Sequence, residues 1–155
     1  MPRSTLAACA LAVSFSFASQ ALPAGRAKAT QPADTAEVTF CGYQTLPNNR
    51  GLIFVELNEL VPVEVKRSGQ VIEYKLAGTT VPLKNNRNPL LLAGFNASAL
   101  SAVLVPDKPV KGQRDKKQRS VRLVVTLRGQ AAPTYRMVAR GKGAVLEVEL
   151  PPPSR

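Results

Sequence analysis

The sequence predicts an all-β protein, a sandwich of two related sheets with roughly four strands each. Three observations carry that prediction. Apolar residues alternate with polar ones along several short runs, the period of a half-buried strand. Thirteen prolines and ten glycines interrupt the 155-residue chain too often for long helices. A weak internal repeat relates the first half of the alternating region to the second.

Met1-Pro2-Arg3, an apolar run from Leu6 to Ala18 and then Ser19-Gln20-Ala21 have the layout of a secretory signal peptide over 1–21. The run is shorter than the roughly 20 residues a membrane span needs. No transmembrane span is therefore expected after cleavage, and the mature chain is placed in the periplasm. Leu6-Ala7-Ala8-Cys9 matches a lipoprotein cleavage pattern, but Cys9 comes too early and the apolar run continues to Phe17, so lipid anchoring is not expected. Residues 22–36 are rich in Pro, Ala and polar groups with no apolar period, and read as a flexible linker. The domain spans 37–150, and the Pro-rich tail 151–155 cannot join a sheet.

Within the domain, Val121, Leu123, Val125 and Leu127 point one way, and Arg122 and Thr126 the other. Leu146, Val148 and Leu150 alternate with Glu147 and Glu149, and Ile72, Tyr74 and Leu76 with Glu73 and Lys75. Further runs near 38–43, 51–57, 61–66, 99–105 and 133–138 bring the expectation to about eight strands. Residues 78–89 hold three asparagines and two prolines and read as a turn-rich crossover, with Leu90-Leu91-Leu92 re-entering the core.

The repeat aligns Ile53–Leu57 with Leu123–Leu127, Pro62 with Pro133, and Gly69–Leu76 with Gly143–Leu150. Neither four-stranded unit can bury its apolar face alone, so the two are expected to stack face to face.

Composition excludes much chemistry. The chain has no histidine, which removes imidazole as a general base and as a metal ligand. Three aspartates and seven glutamates remain, and most of the glutamates alternate with apolar residues, on solvent-facing strand positions. A hydrolase using carboxylates alone would draw on Glu56, Glu59 and Glu64. The expectation is no catalytic residues, no metal and no cofactor. Cys41, in the strand-like setting Val38-Thr39-Phe40, reads as a small buried hydrophobe. The net charge of +11 points to an acidic partner or surface. Aromatics are 5% with no tryptophan, and there is no phosphate-binding glycine loop, so no specific nucleic acid is expected.

Gly51–Leu57, Val61-Pro62-Val63-Glu64-Val65, Ile72–Thr79, Val121–Leu127 and the closing Leu146–Leu150 together resemble the AMIN domain family. Its members are exported modules found beside cell-wall amidases and in type IV pilus secretins. The resemblance covers roughly 37–150 and implies a free-standing, non-catalytic β-sandwich that binds peptidoglycan and positions a partner at the cell wall. It implies neither the amidase nor the secretin portion of such proteins.

Two basic loops are the candidate contacts. Lys84, Asn85, Asn86, Arg87 and Asn88 combine charge with amides, suited to stem-peptide carboxylates and acetamido groups, although Asn-Asn also simply makes turns. Lys108, Lys111, Arg114, Lys116, Lys117 and Arg119 form a second loop suited to a polyanion, or merely to solubility. Three functions follow: binding peptidoglycan or another anionic envelope polymer, assembling a secretin or cell-wall enzyme through an edge strand near 61–66, or general polyanion binding.

Overall fold

A computed structural model describes residues 35–107 and 119–153. The expected signal peptide, nearly all of the linker, and Lys108, Lys111, Arg114, Lys116 and Lys117 lie outside the described residues. Ten strands form two five-stranded sheets. They are β1 (Ala36–Leu46), β2 (Arg50–Leu57), β3 (Val63–Ser68), β4 (Val71–Ala77), β5 (Thr79–Thr80), β6 (Leu90–Leu91), β7 (Ala99–Pro106), β8 (Ser120–Leu127), β9 (Thr134–Arg140) and β10 (Gly143–Leu150). Sheet I runs β5-β1-β2-β10-β9 and sheet II runs β3-β4-β8-β7-β6. All eight expected strands are present, and the two short ones, β5 and β6, are additions. β5 lies inside the crossover where no strand was expected, pairing parallel to β1 through Ala36–Thr79 and Glu37–Thr80.

The repeat is organised differently from two stacked units. The first half gives hairpin β1-β2 to sheet I and β3-β4 to sheet II, while the second gives β7-β8 to sheet II and β9-β10 to sheet I. Each sheet is thus assembled from both halves. The physical reason is pairing: β2 finds its second neighbour in β10 and β8 finds its own in β4, leaving no central strand with an open edge. The two sheets share this central order, so one half maps on the other by an approximate two-fold exchange.

Register follows the same exchange in detail. Val55 faces Leu146 across β2-β10, as Val125 faces Ile72 across β8-β4. Each half also carries a bulge at the same place, Thr39 between Val38 and Phe40, and Leu100 between Ala99 and Ser101. A bulge leaves a backbone group off the ladder. The Thr39 carbonyl accepts from Asn86 Nδ2 at 3.1 Å, and the Leu100 carbonyl from the Leu92 amide at 2.8 Å. The prolines are one step out of register, because Glu64–Lys75 is equivalent to Thr134–Glu149 and Pro133 therefore takes the place of Val63. The aligned glycines also differ. Gly69 makes the β3-β4 turn at φ +58°, whereas Gly143 lies within a strand and Gly141 makes the β9-β10 turn at φ +59°.

Ile53, Val55 and Leu57 of sheet I meet Tyr74, Leu76, Leu104, Leu123 and Leu127 of sheet II in one continuous core. Truncating one of these leucines to alanine would cost about 2–5 kcal/mol. Tyr74 and Tyr135 close one side of the sandwich edge to face at 5.4 Å, and Tyr43 and Phe95 meet at 5.3 Å. Of the three leucines expected to re-enter the core, Leu92 does so fully, while Leu91 is 71% exposed. Among the described residues no helix is long and apolar enough to cross a membrane.

Candidate functional site

Among the described residues, no layer covers the outer face of sheet I. Strand alternation sends Phe40 and Gln44 of β1, Leu52, Phe54 and Glu56 of β2, and Val145, Glu147 and Glu149 of β10 outward together. Outward positions are normally polar, so two phenylalanines in this phase stand out. Phe40 is 49% exposed and its ring lies 5.8 Å from that of Phe54 at an interplanar angle of 32°. Both rings lean over Gly42, where a Cβ would sit 2.7 Å from Phe54 Cζ and 2.8 Å from Phe40 Cε1. The glycine lets the rings lie low, as a broad apolar step on the sheet surface.

Beside this step runs a shallow groove. One part, of about 200 Å³, is lined by Gln44, Leu52, Phe54, Glu56 and Arg140, with Val145 and Glu147 at its floor. A second part of about 180 Å³ continues across Leu52 and Glu147 to Thr134 and Arg136. Glu147 was expected to face solvent like the other glutamates, but its side chain is only 8% exposed. Arg136 Nε reaches it at 2.6 Å and Arg140 Nη2 at 3.3 Å, so two arginines from the neighbouring strand lie across an otherwise buried carboxylate. The groove thus offers an apolar platform, a neutral amide, a carboxylate on Glu56 with no ion pair among the described residues, and guanidinium edges.

The outer face of sheet II is built from charge instead. Arg122 Nε meets Asp107 Oδ1 at 2.6 Å and Arg122 Nη1 meets Glu73 at 3.3 Å, while Lys75 pairs with Glu64 at 3.3 Å. Burial alone would raise the Asp107 carboxyl, but hydrogen bonds from Ser120 Oγ and Arg122 outweigh it and hold the group below its ordinary value. Hydrogen bonds to Asp107 and Glu73 raise Arg122 further above its ordinary value. These charges satisfy one another and leave little to offer a ligand.

Of the loop residues singled out by sequence, Lys84 to Asn88 and Arg119 are described, and Arg87 and Arg119 lie at one end of the sandwich. Lys84–Arg87 forms a single 3-10 turn. Asn86 serves the β1 bulge, and Arg87 donates from Nε and Nη2 to the Val81 carbonyl at 3.2 and 2.6 Å. Lys84, Asn85 and Asn88 are exposed. Arg119, the described member of the second loop, lines a cavity of about 400 Å³ together with Arg87. One arginine from each loop therefore faces a common space. Sequence reasoning found those two residues and missed Phe40 and Phe54, whose signal was an aromatic on the polar phase of a strand.

Cys41 borders the core and is partly buried, and that burial pushes its thiol up to about 11. Among the described residues no group of three His, Cys, Asp or Glu is placed to hold a metal ion. Comparison with known proteins finds no family model that matches the chain and no curated protein that matches it.

Proposed function

We propose that the protein is a non-catalytic module that binds peptidoglycan in the cell envelope outside the cytoplasm and can hold a partner there. The observation that carries this reading is the Phe40–Phe54 step beside a polar groove on the outer face of sheet I. A pyranose ring has one face of C–H bonds, which stacks on an aromatic ring, and a rim of hydroxyl and acetamido groups that need hydrogen bonds. Gln44 supplies a donor and an acceptor, Glu56 an acceptor and Arg140 donors, all within reach of the same surface. The net charge of +11 suits an anionic polymer, and the resemblance to AMIN domains and the signal-peptide layout of the first 21 residues support the same location.

Sedimentation of the full chain with purified sacculi tests it. The F40A/F54A double variant should bind about tenfold more weakly, the loss of roughly one stacking contact. S101A/V124A, at the equivalent outward positions of sheet II, should bind as the parent does. Binding by the parent should weaken, without vanishing, as salt rises. Parent protein left wholly in the supernatant at low salt refutes the reading.

Edge strands β3 and β9 favour a second role beside the first. Among the described residues each has one neighbouring strand, so each presents a sheet edge to an added strand from a secretin or cell-wall enzyme. Recovery of no specific protein from envelope extracts would remove that role.

A further inference from the structure

The cavity at the end of the sandwich has walls fixed by backbone. The Thr79 amide donates to the Arg119 carbonyl at 3.2 Å and the Asp107 amide to the Ser120 carbonyl at 2.9 Å, tying β5 and the end of β7 to the start of β8. Its volume of about 400 Å³ falls in the ~300–1,000 Å³ range of small-molecule sites.

The polar groups lining it divide into two sets. Arg87 has Nε and Nη2 committed to Val81, which orients the guanidinium and leaves Nη1 without a described partner. Arg119 has no ion pair among the described residues. These are two anchored or adjacent cationic donors, the pairing that suits a carboxylate. The second set accepts. Thr79 Oγ1 donates to the Ala77 carbonyl at 3.2 Å, Thr80 Oγ1 to the Ala36 carbonyl at 3.5 Å, and Ser120 Oγ to Asp107. Each hydroxyl has spent its only hydrogen and keeps lone pairs to accept with. Glu37 adds a carboxylate without an ion pair among the described residues, whereas Asp107 is fully engaged by Ser120 and Arg122.

A simple anion would use the arginines and leave the acceptors idle, and a simple cation the reverse. We infer that this cavity is a second binding site, for a zwitterionic amino-acid or peptide end, with the carboxylate on Arg87 and Arg119 and the ammonium on Glu37 and the hydroxyl oxygens. An unlinked diamino-acid side chain of a wall stem peptide, where it carries both an ammonium and a carboxylate, has this chemistry. The inference rests on the peptidoglycan reading for that source of ligand, though not for the site itself.

Amide chemical shifts of the full chain, titrated with alanylalanine, its C-terminal amide and its N-acetyl form, test the site. Free dipeptide should move the amides of Thr79, Thr80 and Ser120 and leave those of Phe40 and Phe54 in place. Capping either end should weaken binding about tenfold, the loss of one hydrogen-bonded charge. R119Q is the cleaner arginine variant because Arg87 also holds its own loop, and it should lose affinity to the same extent. E37Q should bind the free and N-acetylated dipeptides nearly alike, and it decides the matter if R119Q loses its dispersed spectrum. Equal binding of capped and free dipeptides, or unchanged affinity in both variants, overturns the inference. An N-acetylglucosamine trimer run in parallel separates the two sites. If it leaves Phe40 and Phe54 unmoved while the dipeptide binds, the glycan reading fails and the cavity assignment stands.

Discussion

The two outer faces occupy equivalent places in the two-fold arrangement of strands and carry different chemistry. Register places Leu52, Phe54 and Glu147 of sheet I where sheet II has Arg122, Val124 and Glu73. On sheet I the central glutamate is buried beneath two arginines beside an aromatic step. On sheet II its counterpart is about one-third exposed, in a network that also takes in Asp107. The two halves share one strand frame, and the outward side chains, which the core does not constrain, differ. The inward positions kept one kind of residue because the core admits little else.

The largest test of this comparison concerns the backbone. A Cβ on Gly143 would lie 2.3 Å from the Leu57 carbonyl oxygen, in the middle of sheet I. G143A should therefore cost about 3 kcal/mol in urea denaturation, since a backbone atom must move. At the aligned Gly69 there is open space but φ is +58°, so G69A should cost only about 1 kcal/mol. Equal losses would mean the two glycines do the same work.

Next is alkaline pH. Cys41 sits opposite Val55, and its equivalent in the second half, opposite Val125, is Ala102. With the folded thiol raised from 9.0 to about 11, both states hold the proton below pH 9 and the cysteine contributes no pH dependence there. Above 9 the unfolded chain releases its proton first, so stability should fall as pH rises toward 11, by up to about 2 to 3 kcal/mol. C41A should flatten that limb, and an unchanged slope would show that Cys41 is not its source.

The smallest effect separates the glutamates. R136Q/R140Q leaves Glu147 shielded and unpaired and should cost about 1–2 kcal/mol. R122Q acts on pairs about one-third exposed and should cost about 0.5–1 kcal/mol. Because the Asp107 carboxyl is held low, its contribution is present above the ordinary carboxylate value near 4 and disappears as pH falls through the lower folded value. D107N should lose stability at neutral pH and show a shallower acid limb.

Much of this fold was legible because alternation is a local property. Ile53, Val55, Leu123 and Val125 announce their inward direction through their immediate neighbours, and the strands fall where that period lies. Arg87 and Arg119 were legible as basic loop residues. Their facing of one cavity was not, since it depends on β5 bonding back to Arg119 across 40 residues of chain. The bond from Asn86 to the β1 bulge was hidden for the same reason: Thr39 is 47 residues away.

The residues by themselves determined eight of the ten described strands, their inward and outward faces, and the net charge of +11. Tertiary structure alone decided that each half would divide between both sheets, that Glu147 would be buried on an outer face, and that Arg87 and Arg119 would face one cavity. The reason is that a period of two tells a strand which side is apolar but not which strand will lie beside it. Partner choice is settled by every long-range hydrogen bond and core contact together.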